Sequence, residues 1–121
     1  MAKVLIVDDS PMIRALIKNL VEQRNHETYE ASCSSEALDQ FHKVNPDVVY
    51  LDIIMDNNKL TGMEALKQMK KERPDAVVVM VTSISDQESI IKECVDYGAN
   101  EYISKPFKDE EILEVLDTYA S

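Results

Sequence analysis

Five polar side chains stand directly after short apolar or mixed runs, and their types suggest a single chemistry. Asp8 and Asp9 follow Val4-Leu5-Ile6-Val7, and Asp52 follows Val48-Val49-Tyr50-Leu51. Thr82 follows Val77-Val78-Val79-Met80-Val81, and Lys105 follows Glu101-Tyr102-Ile103-Ser104. If these runs are parallel strands, all five residues gather at one end of a sheet. Three carboxylates packed together repel and raise one another's pKa. A divalent cation removes that repulsion, and an all-oxygen donor set suits Mg²⁺. Such a cation also lets a carboxylate approach an anionic phosphoryl group, while a Lys ammonium and a Thr hydroxyl hold two of its oxygens. Taken singly, each residue reads as a loop-facing polar group or a helix cap. Their joint placement favours a site.

Two alternating periodicities mark the elements that would gather them. Ile13, Leu16, Ile17, Leu20 and Val21 fall on one face of a helix. Ser10-Pro11 before them supplies a capping hydroxyl and a Pro at the first helical position. Glu27–Ala31 reads as a half-exposed strand, after which Ser34 or Ser35 opens a helix carrying Ala37, Leu38, Phe41 and Val44. Thr61 and Glu64 have capping-box spacing before a helix with Met63, Leu66 and Met69. Ser85 and Glu88 repeat that spacing before a helix presenting Ile91, Cys94 and Val95 and ending at Gly98. The last helix carries Ile112, Leu113, Leu116 and Tyr119.

Strands alternating with helices predict an α/β fold with a parallel sheet wrapped on both faces. The first, third and fourth strands are continuously apolar, as central strands should be, whereas the second and fifth carry polar residues and suit edges. That selects strand order 2-1-3-4-5, the flavodoxin-like (βα)5 three-layer sandwich. Its ligand site lies at the carboxyl ends of the strands, where the chain reverses direction between strands 1 and 3.

Length and charge narrow the function. The 121 residues make one domain, 1–121. Thirteen basic against 23 acidic residues give a net charge of −10, which disfavours unaided binding to nucleic acid or an anionic membrane. No apolar run approaches the roughly 20 residues of a membrane-spanning helix, so a cytoplasmic monomer is expected. Cys33 and Cys94 form no metal motif. Strands 2 and 4, which precede them, would stand roughly 14 Å apart, and a disulfide needs Cα atoms within about 7 Å. Both thiols are expected to be free.

With these residues in this order, the whole chain resembles the receiver domain of two-component response regulators, in its single-domain, CheY-like form. The resemblance implies that Asp52 is the phosphoacceptor. It implies that Asp9, Asp52 and the Ile54 carbonyl ligate Mg²⁺, with Asp8 reaching the metal mainly through water. Thr82 and Lys105 match the residues that bind the phosphoryl group. Thr82 and Tyr102 match the switch pair, and Lys105-Pro106 matches a peptide that is cis in the family. A histidine kinase or phosphotransfer protein would be the donor, Arg14 and Lys18 on the first helix would help dock it, and a downstream protein would be the target. Chemotaxis is one candidate pathway. Such a protein catalyses its own phosphorylation and dephosphorylation without being a turnover enzyme.

Departures and alternatives bear on that reading. The family reads Met-Pro-x-Met-x-Gly after the acceptor; this chain reads Met55-Asp56-Asn57-Asn58-Lys59-Leu60-Thr61-Gly62, with Asp for Pro and two extra residues. Asp56 is either a solvated turn residue or a contact to a metal-bound water. By resemblance, the residues flanking the water's path to the phosphoryl group are Ile54 and Ile84, neither able to orient a water. The activated surface would be the fourth helix, fifth strand and fifth helix, the last carrying Asp109, Glu110, Glu111, Glu114 and Asp117. Remaining alternatives are a phosphorelay intermediate, a degenerate receiver working without phosphorylation, a haloacid-dehalogenase-type phosphatase and a flavin-binding electron carrier. The last two lack their expected motifs: an Asp-x-Asp after strand 1 with a cap insertion, and a Ser/Thr/Gly-rich phosphate loop.

Overall fold

The sheet is fully parallel, in the order β2-β1-β3-β4-β5. In this computed structural model, which describes residues 1–55, 59–83 and 88–120, the strands are β1 (Lys3–Val7), β2 (Glu27–Ala31), β3 (Val48–Leu51), β4 (Val77–Thr82) and β5 (Glu101–Ser104). The helices are α1 (Pro11–Gln23), α2 (Ser34–Val44), α3 (Thr61–Glu72), α4 (Glu88–Asp96) and α5 (Asp109–Tyr119). Strand alternation splits the interior into two cores. Leu5, Val7, Val49, Leu51, Val78 and Met80 face α2, α3 and α4. Val4, Ile6, Val48, Tyr50, Val79 and Val81 face α1 and α5. The β-branched central strands are buried on both faces, as the sequence pattern requires.

Registers align the carboxyl ends. Val7 pairs with Leu51, Leu51 with Met80, and Thr82 with Ser104. Asp8, Asp52 and Lys105 are each the first residue beyond their strand, and Thr82 is the last residue of β4. The Asp52 amide donates to the Val7 carbonyl at 2.9 Å, and the Lys105 amide to the Thr82 carbonyl at 3.0 Å. The ladder thus continues one step past the strands and draws these residues together.

Several local expectations change. Ser10 caps α1 as expected, accepting from the Ile13 amide. The Thr61 capping box does not form. Leu60 occupies the N-cap position, and the buried Thr61 hydroxyl has no partner among the described residues. Met55 and Lys59 pair in an antiparallel bridge, and the Gly62 amide donates to the Ile53 carbonyl. The second proposed box begins at Ser85, outside the described residues. Cys33 precedes α2 at the N-cap and lies two residues beyond β2. Leu16 and Val95, placed on core faces by periodicity, are exposed. Each lies at the margin of its helix's apolar arc, beside the buried Ile17 and Cys94. Both thiols are free, with Cys94 buried and its pKa pushed up to about 11 by that burial.

One hydroxyl in the core ties β3 to the last helix. Tyr50, two residues before Asp52, is 1% exposed and donates to the Ile112 carbonyl of α5 at 2.9 Å. Burial, reinforced by the Asp117 charge, pushes its pKa well above the ordinary phenol value. Tyr50→Phe should cost about 1 kcal/mol, the net worth of such a bond. Urea denaturation measures it, and an unchanged midpoint would mean the bond contributes nothing.

Candidate functional site

Asp8, Asp9 and Asp52 each bring a carboxylate oxygen within 4.8 Å of the others. Asp8 and Asp52 are 1% and 4% exposed, whereas Asp9 is exposed. The Lys105 ammonium binds both buried acids, at 2.6 Å from Asp8 Oδ2 and 3.1 Å from Asp52 Oδ2. The remaining oxygens are held by backbone: Ser10 N–H donates to Asp8 Oδ1 and Ile54 N–H to Asp52 Oδ1. The Lys105-Pro106 peptide is cis, as the resemblance implied.

The charges are unbalanced. Burial raises the Asp52 carboxyl above its ordinary pKa; the Asp8 charge adds to that, and Lys105 opposes it. For Lys105, burial alone would lower the pKa, but the Asp8 bond and the charges of Asp52 and Asp8 outweigh it and raise it. Three acids against one ammonium leave room for a cation. The three carboxylate oxygens lie within 4.8 Å of one another, close enough to share one ion. An oxygen-only donor set of this size, carrying excess negative charge, fits Mg²⁺.

Thr82 is fully buried, and its hydroxyl has no partner among the described residues. Tyr102 is half-buried, packed on the core shared by α2, α3 and α4, and its buried hydroxyl likewise lacks a partner among them. Ile54 is half-buried against the same core. Ile84 and Asp56 lie outside the described residues. Lys18 reaches Glu30 at 3.8 Å.

At two residues near the acids the structure shows contacts that the sequence does not encode. Gly62 packs so tightly on β3's extension that a Cβ there would stand 2.0 Å from the Asp52 carbonyl oxygen. A glycine as the second residue of a helix was the available signal. Arg14, read as a docking residue, turns its side chain back to the Asp8 carbonyl.

A doubly wound parallel sheet of order 2-1-3-4-5, with an acid cluster and a lysine at its switch point, places the chain among CheY-like receiver domains. The chain belongs to the response regulator receiver domain family, which it matches over residues 4–117. It is 37% identical over 121 residues to the chemotaxis protein CheY of Listeria monocytogenes, covering 99% of both chains. Among solved structures it is similar to the receiver domain of NtrX from Brucella abortus, with TM-score 0.86 and 31% identity, covering 96% of each chain. It is also similar to a CheY-like receiver domain protein from Methanospirillum hungatei, with TM-score 0.88 and 27% identity, covering 98% of this chain and 92% of that one. Receiver domains are signalling switches rather than turnover enzymes. They bind Mg²⁺ at an acidic pocket and act between histidine kinases or phosphotransfer proteins and downstream targets. No helix among the described residues is long and apolar enough to cross a membrane.

Proposed function

We propose that this chain is a Mg²⁺-dependent switch that accepts a phosphoryl group on Asp52 from a histidine kinase or phosphotransfer protein and signals through a partner. One observation carries the reading: Asp52 is buried beside Asp8 and Asp9, with Lys105 bonded to its carboxylate. A carboxylate oxygen of Asp52 forms the new P–O bond as the bond from phosphorus to the donor breaks. Asp9, Asp52 and the Ile54 carbonyl would hold Mg²⁺ directly, and Asp8 through water. When bound, the ion offsets the charge of the carboxylates and the phosphoryl oxygens. Lys105 then turns from Asp52 Oδ2 to one phosphoryl oxygen, and the Thr82 hydroxyl, which has no partner among the described residues, donates to another. Acetyl phosphate with Mg²⁺ should add one phosphoryl group to the intact mass, and chelation should prevent it. No addition under either condition would leave the degenerate-receiver reading.

Movement of Thr82 and Tyr102 would carry the signal to α4, β5 and α5, whether the target lies in chemotaxis, elsewhere or in a phosphorelay. The acids of α5 disfavour an acidic target surface. Asp117 is partly committed, pairing at 3.0 Å with Arg24, which follows α1, but Glu114 is exposed.

Phosphoryl lifetime follows from Ile54. Its side chain offers no hydrogen bond to an attacking water, whereas Asn would. Ile54→Asn, alone or with Ile84→Glu, should speed decay of the phosphorylated protein in Mg²⁺ several-fold, read by loss of the mass increment. An unchanged decay in the double variant would mean that the two isoleucines are not the gate.

A further inference from the structure

We propose that Arg14 is a positioning residue for the metal-binding acid pair, rather than a contact for the phosphodonor; this rests on the Mg²⁺ reading above. Arg14 sits on α1, four residues past Ser10. Its side chain is only 17% exposed. Nη1 donates to the Asp8 backbone carbonyl at 2.7 Å, and Nε donates to Glu30 Oε1 at 3.0 Å. Glu30 belongs to β2, so the guanidinium braces the loop after β1 between α1 and the neighbouring edge strand.

The carbonyl it grips is half of the peptide unit whose N–H belongs to Asp9. Asp8 is already fixed through its own amide, bonded to the Ala31 carbonyl at 3.1 Å, and through both carboxylate oxygens. Asp9 is different: its side chain is exposed and makes no hydrogen bond or ion pair to a described residue. Its direction therefore depends on the orientation of the Asp8–Asp9 peptide plane, which Arg14 sets. The effect is geometric rather than a matter of net charge, because Glu30 neutralises the guanidinium. A planar fork that donates in two directions suits this task, and a lysine ammonium reproduces it only in part. Outer partners that orient metal ligands typically change affinity by about ten-fold or more when removed.

The test is a Mg²⁺ titration followed by backbone amide NMR of Asp8, Asp9 and Ser10, on wild type, Arg14→Ala and Arg14→Lys. Acetyl phosphate labelling is measured in parallel at saturating Mg²⁺. Arg14→Ala should weaken Mg²⁺ by about ten-fold, Arg14→Lys by less, and labelling should recover at saturating metal in both. Should Arg14→Ala not fold, Arg14→Lys still decides, since it keeps the charge and loses the fork. Wild-type Mg²⁺ affinity in the variants overturns the proposal while leaving Asp52 as acceptor. A wild-type protein that binds no Mg²⁺ overturns both.

Discussion

Asp52→Asn is expected to abolish phosphoryl uptake and, at neutral pH without metal, to raise the melting temperature. The first effect is loss of the attacking oxygen anion. The second follows from the site's electrostatics. Burial, with the Asp8 charge adding to it, raises the Asp52 carboxyl above its ordinary value of 3.8, against the pull of Lys105. A raised pKa means that the folded state binds this proton more tightly than the unfolded chain does. Stability from this group is therefore present at low pH and is lost as pH rises from the ordinary carboxylate range through the folded pKa. Asn is neutral throughout and keeps one acceptor oxygen, enough for one of the two donors, Lys105 or the Ile54 amide, that the carboxylate serves with two. Thermal melts of metal-free protein across that window should show the wild type losing stability relative to the variant. A variant that melts below wild type at neutral pH, or still takes up phosphoryl, contradicts the electrostatic account or the acceptor assignment respectively.

Gly62→Ala should be the most damaging single-methyl change at the site. Its Cβ would stand 2.0 Å from the Asp52 carbonyl oxygen, 2.6 Å from Ile53 Cα and 2.9 Å from the Asp52 carbonyl carbon. All three are backbone atoms, so no side chain can swing aside. The Gly62 amide is also bonded to the Ile53 carbonyl at 3.0 Å, which holds the start of α3 against the segment that follows β3. The start of α3 must retreat, at a cost of about 3 kcal/mol, and Asp52 moves with its carbonyl. Urea denaturation should show the loss, and labelling with acetyl phosphate should fall at saturating Mg²⁺. Wild-type stability would mean that the loop before α3 absorbs the methyl freely.

The acids, Thr82 and Lys105 were legible because strand ends can be read from apolar runs, and in a parallel sheet every end points the same way. The order of strands followed from which runs tolerate polar residues. Side-chain direction was not legible. Arg14 sits where helical spacing allows solvent or the loop, and only the structure turns its guanidinium to the Asp8 carbonyl. Tyr50 sat within an apolar run as one more core residue, with nothing local to reveal its bond to α5. Thr61 and Glu64 have the spacing of a cap, but the helix begins at Thr61 itself, with Leu60 at the N-cap and the Gly62 amide bonded to the Ile53 carbonyl. Gly62 itself is a contact between distant backbones, which composition and periodicity do not encode. Leu16 and Val95 mark the limit of the helical pattern: an apolar arc predicts its centre better than its margins.

The most direct test of the account is the chemical location of the phosphoryl group. Protein labelled with acetyl phosphate and Mg²⁺ is treated with borohydride, which reduces an aspartyl phosphate to the alcohol, and is then mapped by peptide mass spectrometry. Homoserine is expected at position 52, with intact aspartate at positions 8 and 9. Reduction at Asp8 or Asp9, or a mass increment that borohydride leaves in place, would contradict it.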